Sequence, residues 1–162
     1  MKRKIPYTAI FAFLAVLLFF FTAFAASEEP QSPQAKQIKA MVDKAAALVG
    51  KKGKDAFPEF KKKGGEWFKG DAYIFVGDMK GNLLVNAAFP ELEGKNELEL
   101  KDVTGKPIVK SFINLLKTKD SGWVDYMWPK PGQSKPSKKS SYVKRVKLGN
   151  EMIYVGAGFY AE

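Results

Sequence analysis

The sequence predicts an α+β domain: one antiparallel sheet of five strands, a long N-terminal helix and a helical crossover. Three observations carry this. Apolar residues recur at helical spacing over residues 34–49. Two β-rich runs, residues 71–76 and 82–88, meet across a Gly-containing turn. Three further strand-like runs close the chain with no helical pattern between them. Strands that follow one another without intervening helices build an antiparallel sheet, not a parallel one.

The elements follow in order. Residues 27–33 form a short polar linker with two prolines. Over residues 34–49, Ala35, Ile38, Met41, Val42, Ala45, Leu48 and Val49 make one apolar stripe, which reads as core packing. Gly50 and Gly53 end that helix. A second, short helix is expected over 54–63, with Asp55 as its N-cap and Pro58 in its first turn. Residues 71–76 should be a strand with Tyr73 and Phe75 on one face, Ile74 and Val76 on the other. Residues 77–82 are a turn, so Asp78 is a turn residue. A calcium loop would need oxygen ligands at alternate positions, and these are missing. Residues 82–88 return as the second strand of the hairpin.

A loop follows at 89–94, where Glu91 and Glu93 read as exposed polar surface. Residues 102–107 lead into a helix that runs to about Lys117, with Ile108, Phe112, Leu115 and Leu116 as its buried stripe. The closing strands are 122–129, 140–148 and 152–160. Gly149-Asn150 joins the last two, and a polar connection over 131–139 joins the first two. The long helix should cover one face of the sheet and the crossover 89–119 the other, with a pocket between sheet and crossover.

Composition narrows the chemistry. The chain has 162 residues, one ordinary domain, with 46% hydrophobic residues to build a core. It contains no Cys and no His. Disulfides, thiolate catalysis, Cys-zinc sites and histidine metal or haem ligation are thereby excluded. No catalytic residue, metal ligand or cofactor is assigned, and no enzyme activity is expected. An enzyme pairing Lys130 with Glu91 or Asp125 lacks a recognisable nucleophile and base, and Asp125 should face away from Lys130. The S-x-x-K string of Ser141 and Lys144 falls on a strand, where its two members point to opposite faces. It therefore does not form the helical nucleophile motif.

Residues 1–26 have the layout of a secretory signal peptide. Lys2, Arg3 and Lys4 precede an unbroken apolar run from Ile10 to Phe21, and Ala23-Phe24-Ala25 supplies the small residues a peptidase needs. Cleavage is expected after Ala25 or Ala26. The alternative is an uncleaved inner-membrane anchor over residues 5–26, which carry no charge. Either reading puts residues 27–162 outside the cytoplasm, periplasmic or secreted, with membrane contact only if the leader is retained. The net charge is +10, with 27 basic and 17 acidic side chains. Export and the lack of any recognition motif argue against a nucleic-acid partner. The clusters Lys51/Lys52/Lys54, Lys61–Lys63 and Lys135/Lys138/Lys139 are expected to be solvated.

The stretch GWVDYMWPKPG (122–132) says most about function. Strand alternation sends Val124, Tyr126, Trp128 and Lys130 to one face. Two aromatic walls beside a cation suit a small organic anion. The plain alternative is a half-buried strand whose Lys130 reaches water.

Four strings together resemble a single Cache domain, the PAS-like extracytoplasmic sensor module of chemoreceptors and sensor kinases. They are GDAYIFVGD (70–78), NAAFPELEGKN (86–96), GWVDYMWPKPG (122–132) and YVGAGFY (154–160). The resemblance covers residues 35–162. It implies a PAS-like sheet with a ligand cavity on its crossover side, and a short-chain carboxylate such as acetate, propionate, pyruvate or lactate as ligand. It also implies an aromatic wall of Tyr73, Phe75, Tyr126 and Trp128, Lys130 as charge partner, and Tyr142 and Asn86 as hydrogen-bond donors. Residues 34–162 are thus expected to be a single Cache-like sensor domain. Because the sequence stops at Glu162, the expectation is a stand-alone binding module that signals through a separate membrane receptor or sensor kinase. The competing expectation is a protein-interaction domain with a filled core and no small ligand.

Overall fold

The computed structural model describes Pro30 and residues 32–161. The signal-peptide and anchor readings of residues 1–26 lie outside the described residues. Helix α1 spans Pro33–Lys52. Ser32 caps it, its hydroxyl accepting the Ala35 amide N–H at 3.1 Å, and Pro33 occupies the first turn where no N–H is needed. Gly53 ends it with φ 61, in the left-handed region open to glycine.

The second helix is smaller than expected. A 3₁₀ turn over Gly53–Ala56 runs straight into α2, Phe57–Phe60. Ala56 before α2 is already helical, at φ −72 and ψ −27, so Asp55 has no extended N-cap position to occupy.

The run expected as one strand over 71–76 is split. Strands β1 (Phe68–Lys69) and β2 (Ala72–Tyr73) form a small separate hairpin, and β3 covers Phe75–Asp78. At the break, Ile74 donates its N–H to the Trp67 carbonyl at 3.0 Å. The alternation survives: Tyr73 and Phe75 join one core, Ile74 and Val76 the other. Strand β4, Leu83–Asn86, returns antiparallel to β3. The turn between them is fastened by Asp78, whose carboxylate accepts the Lys80 and Asn82 amides and the Asn82 side-chain NH₂ at 2.7–2.9 Å. Asp78 is a turn residue.

Helix α3, Ile108–Thr118, follows the crossover. Strands β5 (Ser121–Pro129), β6 (Pro136–Leu148) and β7 (Glu151–Tyr160) complete an antiparallel five-stranded sheet in the order β4-β3-β7-β6-β5. Helix α1 packs on one face through Ile38, Val42, Ala45 and Val49, against Ile74, Val76, Tyr142, Ile153 and Val155. The crossover and α3 cover the other through Ile108, Val109, Phe112, Ile113 and Leu116. Strand β6 begins four residues before the expected start at Ser140, and this shift repositions one lysine.

Candidate ligand site

Between the sheet and α3 lies a cavity of about 40 Å³. Phe75, Tyr126, Trp128 and Tyr154 of the sheet, with Tyr73 of the β1–β2 hairpin, form its floor and walls; Ile108, Val109 and Phe112 of α3 form its roof. Leu83, Leu92, Leu100, Asn86 and Glu97 complete the lining. The rings brace one another. Phe75 stacks on Phe112 at 5.5 Å, and Tyr126 meets both Phe112 (5.6 Å) and Trp128 (6.4 Å) edge to face. The space is roughly three times what one water molecule requires, which suits a ligand of a few heavy atoms.

Glycines on β7 make room for this assembly. A Cβ on Gly156 would fall 2.4 Å from the Phe75 ring, and one on Gly158 would fall 2.3 Å from Ser141 Oγ and 2.7 Å from Lys139 Cε.

Lys139 is the unexpected member. It is 0% exposed, and its Nζ has no hydrogen-bond partner among the described residues. The amine lies 3.9 Å from the centre of the Tyr73 ring, 5.1 Å from that of Tyr160 and 5.8 Å from that of Phe75. Tyr73 and Phe75 thus belong both to the cavity lining and to the surroundings of the amine. Ring faces attract a cation, yet a buried ammonium with no anion is costly. Burial pushes the Lys139 pKa down to about 7, against a smaller opposing pull from Asp71.

The surrounding phenols are shifted the other way. Burial holds Tyr73 well above its ordinary value, with Tyr126 and Tyr160 adding to the effect. Burial raises Tyr126 despite its hydrogen bond with Ser141 Oγ at 2.9 Å, and it raises Tyr154 and Tyr160 as well. These hydroxyls therefore stay protonated at neutral pH and remain able to donate.

Of the seven residues singled out from sequence, Tyr73, Phe75, Asn86, Tyr126 and Trp128 line one cavity. Asn86 Oδ1 is occupied by the Phe89 amide at 3.1 Å, so its free offering is the Nδ2 donor. The other two are elsewhere. Lys130 follows the end of β5, pairs with Asp71 at 3.1 Å and sits 5.6 Å from the outer ring, Tyr160. Its side chain keeps 32% exposure. Tyr142 is on the opposite face, under α1, where its hydroxyl accepts from Lys39 Nζ and donates to Ser121 Oγ, both at 2.7 Å. Among the set-aside motifs, Ser141 and Lys144 do face opposite ways: Ser141 meets Tyr126, and Lys144 meets Asp43 of α1 at 2.6 Å. Glu93 is more than polar surface. It accepts the Asn86 amide at 2.9 Å and pairs with Lys61 at 2.5 Å, fixing the end of β4 beside the cavity.

A helix on one face of a five-stranded antiparallel sheet and a roofed aromatic cavity on the other is the arrangement the sequence resemblance implied. A family model for the Cache domain matches residues 35–162. The chain belongs to the Cache domain family. Its Cache relatives include the methyl-accepting chemotaxis protein McpP of Pseudomonas putida, 30% identical over 92 residues, a match covering 57% of this chain and 16% of McpP. The sensor histidine kinase MctS of Rhizobium johnstonii is 33% identical over 92 residues, covering 57% of this chain and 19% of MctS. The chain therefore spans less than a fifth of either curated relative. Among solved structures, a Cache chemosensory domain described for carboxylic acid recognition superposes with a TM-score of 0.67 at 25% identity, covering 79% of this chain and 93% of that one. The relatives are thus a chemotaxis receptor, a sensor kinase and a chemosensory domain. Among the described residues, no helix is long and apolar enough to cross a membrane.

Lys139 was missed because the Cache sheet continues further than the turn signals suggested. Residues 131–139 look like a polar loop, with Pro131, Gly132, Pro136 and five lysines or serines around them. In the structure β6 starts at Pro136, and Tyr126 pairs with Lys139 while Trp128 pairs with Ser137. Lys139 lies between β5 and β7, since its other partner is Tyr160. Its neighbour Lys138 points outward to Asp125 at 3.7 Å. The usable signal is alternation: counting back by twos from Val143 through Ser141 reaches Lys139 on the cavity side.

Proposed function

We propose that this chain is an extracytoplasmic sensor module that binds a short-chain carboxylate in the cavity between the sheet and α3. One observation carries the reading: Lys139 is a fully buried amine with no anion of its own among the described residues, packed against the aromatic wall of a small roofed cavity. A carboxylate supplies the missing partner, and the pairing offsets the desolvation of both groups. Tyr73, Phe75, Tyr126 and Trp128 form the wall, Asn86 Nδ2 and the phenols donate, and the leucines with Ile108 and Val109 hold a short alkyl tail. The cation role belongs to Lys139, in place of Lys130, which already has Asp71. Kinship with a chemosensory domain that recognises carboxylic acid supports the ligand class. Kinship with a chemoreceptor and a sensor kinase supports a place in signal transduction, with a membrane receptor or kinase as the element that reads occupancy. A periplasmic setting fits the leader over residues 1–26.

The test is a melting-temperature panel of C2–C4 acids, amino acids and amines. A ligand held only by the folded state raises the midpoint, by about 2.7 kcal/mol of stability at a hundred times its Kd. Short acids should shift it and amines should not. A flat response to every acid overturns the reading.

A further inference from the structure

We infer that the cavity takes up a proton together with its anion, so that the species recognised is in effect the whole weak acid. This rests on the carboxylate reading above and extends it to what the site counts. The geometry is that of an amine shut away from water, with ring faces on three sides and no hydrogen-bond acceptor among the described residues. Such an amine holds its proton weakly until a negative charge arrives.

Every element packed against Lys139 supports that assignment. From β2, β5 and β7 the facing titratable groups are the phenols of Tyr73, Tyr126 and Tyr160, all kept neutral by burial. The carboxylate acting on the amine through space is Asp71, and it is already paired with Lys130 at 3.1 Å. Across the cavity, Glu97 and Tyr154 line the wall. None of these contacts the amine through a hydrogen bond or ion pair among the described residues. In the empty protein the amine is therefore largely neutral above pH 7. An incoming carboxylate favours the ammonium, and the site draws a proton from solvent to make it. Below pH 7 the amine is already charged and nothing need be taken up.

The device would make the module respond to an acid and to acidity together. At a fixed concentration of anion, occupancy falls as the medium turns alkaline, although the anion itself does not titrate between pH 6 and pH 8.5.

Calorimetry with acetate and propionate, in buffers of different ionisation enthalpy, measures the proton directly. Expected are about one proton taken up per ligand at pH 8.5, almost none at pH 6, and a Kd roughly thirtyfold weaker at the higher pH. Lys139→Arg keeps a fixed charge and should abolish both the uptake and the pH dependence. If that variant does not fold, the uptake and slope of the wild-type protein decide the matter alone. Binding with equal affinity at both pH values and no proton uptake overturns this inference and leaves the carboxylate reading standing. No binding of either acid at pH 6, where the amine is fully charged, overturns both.

Discussion

The Lys139 amine lies 3.9 Å from the centre of the Tyr73 ring, and no carboxylate of the chain reaches it among the described residues. Lysines this deeply buried are rare because the ammonium gives up its hydration. The fold bears that cost beside two rings of its cavity wall, Tyr73 and Phe75.

The pH dependence of stability follows. An unfolded lysine keeps its proton up to about pH 10.5, whereas folded Lys139 releases it near 7. Between these values the unfolded chain binds more protons, so this group's contribution grows as pH rises through the window and is lost as pH falls back to 7. Urea titrations of the ligand-free protein at pH 7, 8 and 9 should show an increment approaching 1.4 kcal/mol per pH unit. Lys139→Met, similar in length and apolar, should lose that slope and be more stable at pH 7 by about 1–3 kcal/mol.

Asp102 clamps the loop before α3 to the outer edge of β5. Its carboxylate accepts the Thr104 and Lys106 amides at 2.8 and 3.0 Å, the Thr104 hydroxyl at 2.6 Å and the Met127 amide at 2.9 Å. Burial alone would raise its pKa, but these donors outweigh it and hold the group at about 2. Asp102→Ala should cost about 1–3 kcal/mol by urea denaturation. The clamp contributes fully above pH 4 and is lost as pH falls toward 2, so protection of the Met127 amide from hydrogen exchange should fade over that interval.

Gly158 offers a test that adds one methyl group. A Cβ there would meet Ser141 Oγ, Lys139 Cε and the Ser140 carbonyl, all within 2.7 Å. Gly158→Ala should destabilise by about 1–3 kcal/mol and weaken acid binding at least tenfold, because the lysine is displaced. Gly50→Ala in α1 is the control. Nothing lies within 4 Å of its added methyl, and it should stabilise by about 0.5–1 kcal/mol without changing affinity.

Two tyrosines on opposite faces separate packing from recognition. Tyr142→Phe loses the hydroxyl shared by Lys39 and Ser121 and should cost about 1 kcal/mol of stability while leaving acid affinity within twofold. Tyr126→Phe loses a cavity-wall hydroxyl and should weaken acid binding several-fold in the same titration. A matching loss of affinity in both variants would show that the cavity is not the recognition surface.

Much of the fold was legible because period and punctuation agreed. The α1 stripe, the Tyr73/Phe75 against Ile74/Val76 alternation and the Gly149-Asn150 turn each put local preference and burial on the same side. The aromatic wall was legible from that alternation together with the family resemblance. What failed was the extent of pairing. Lys135 to Lys139 carry loop-like composition, yet β5 runs to Pro129 and needs a partner opposite its last residues, so the polar run becomes strand. Tertiary pairing overrides composition there. Lys130 was misplaced for the complementary reason: β5 ends at Pro129, and alternation has no hold on the residue after it. Tyr142 came from the family resemblance, and the phase of β6 puts it on the face opposite Ser141, under α1.

Strand β6 is common to two compartments. Lys139 and Ser141 lie behind the cavity wall, against Tyr73 and Tyr126, while Tyr142 and Lys144 are fastened to Lys39 and Asp43 of α1. Adjacent residues of an extended chain share peptide planes and cannot be displaced independently. If seating an acid on Lys139 displaces this segment, the tether points of the helix on its far side are displaced with it. Such a displacement registers on α1 as a change of tension.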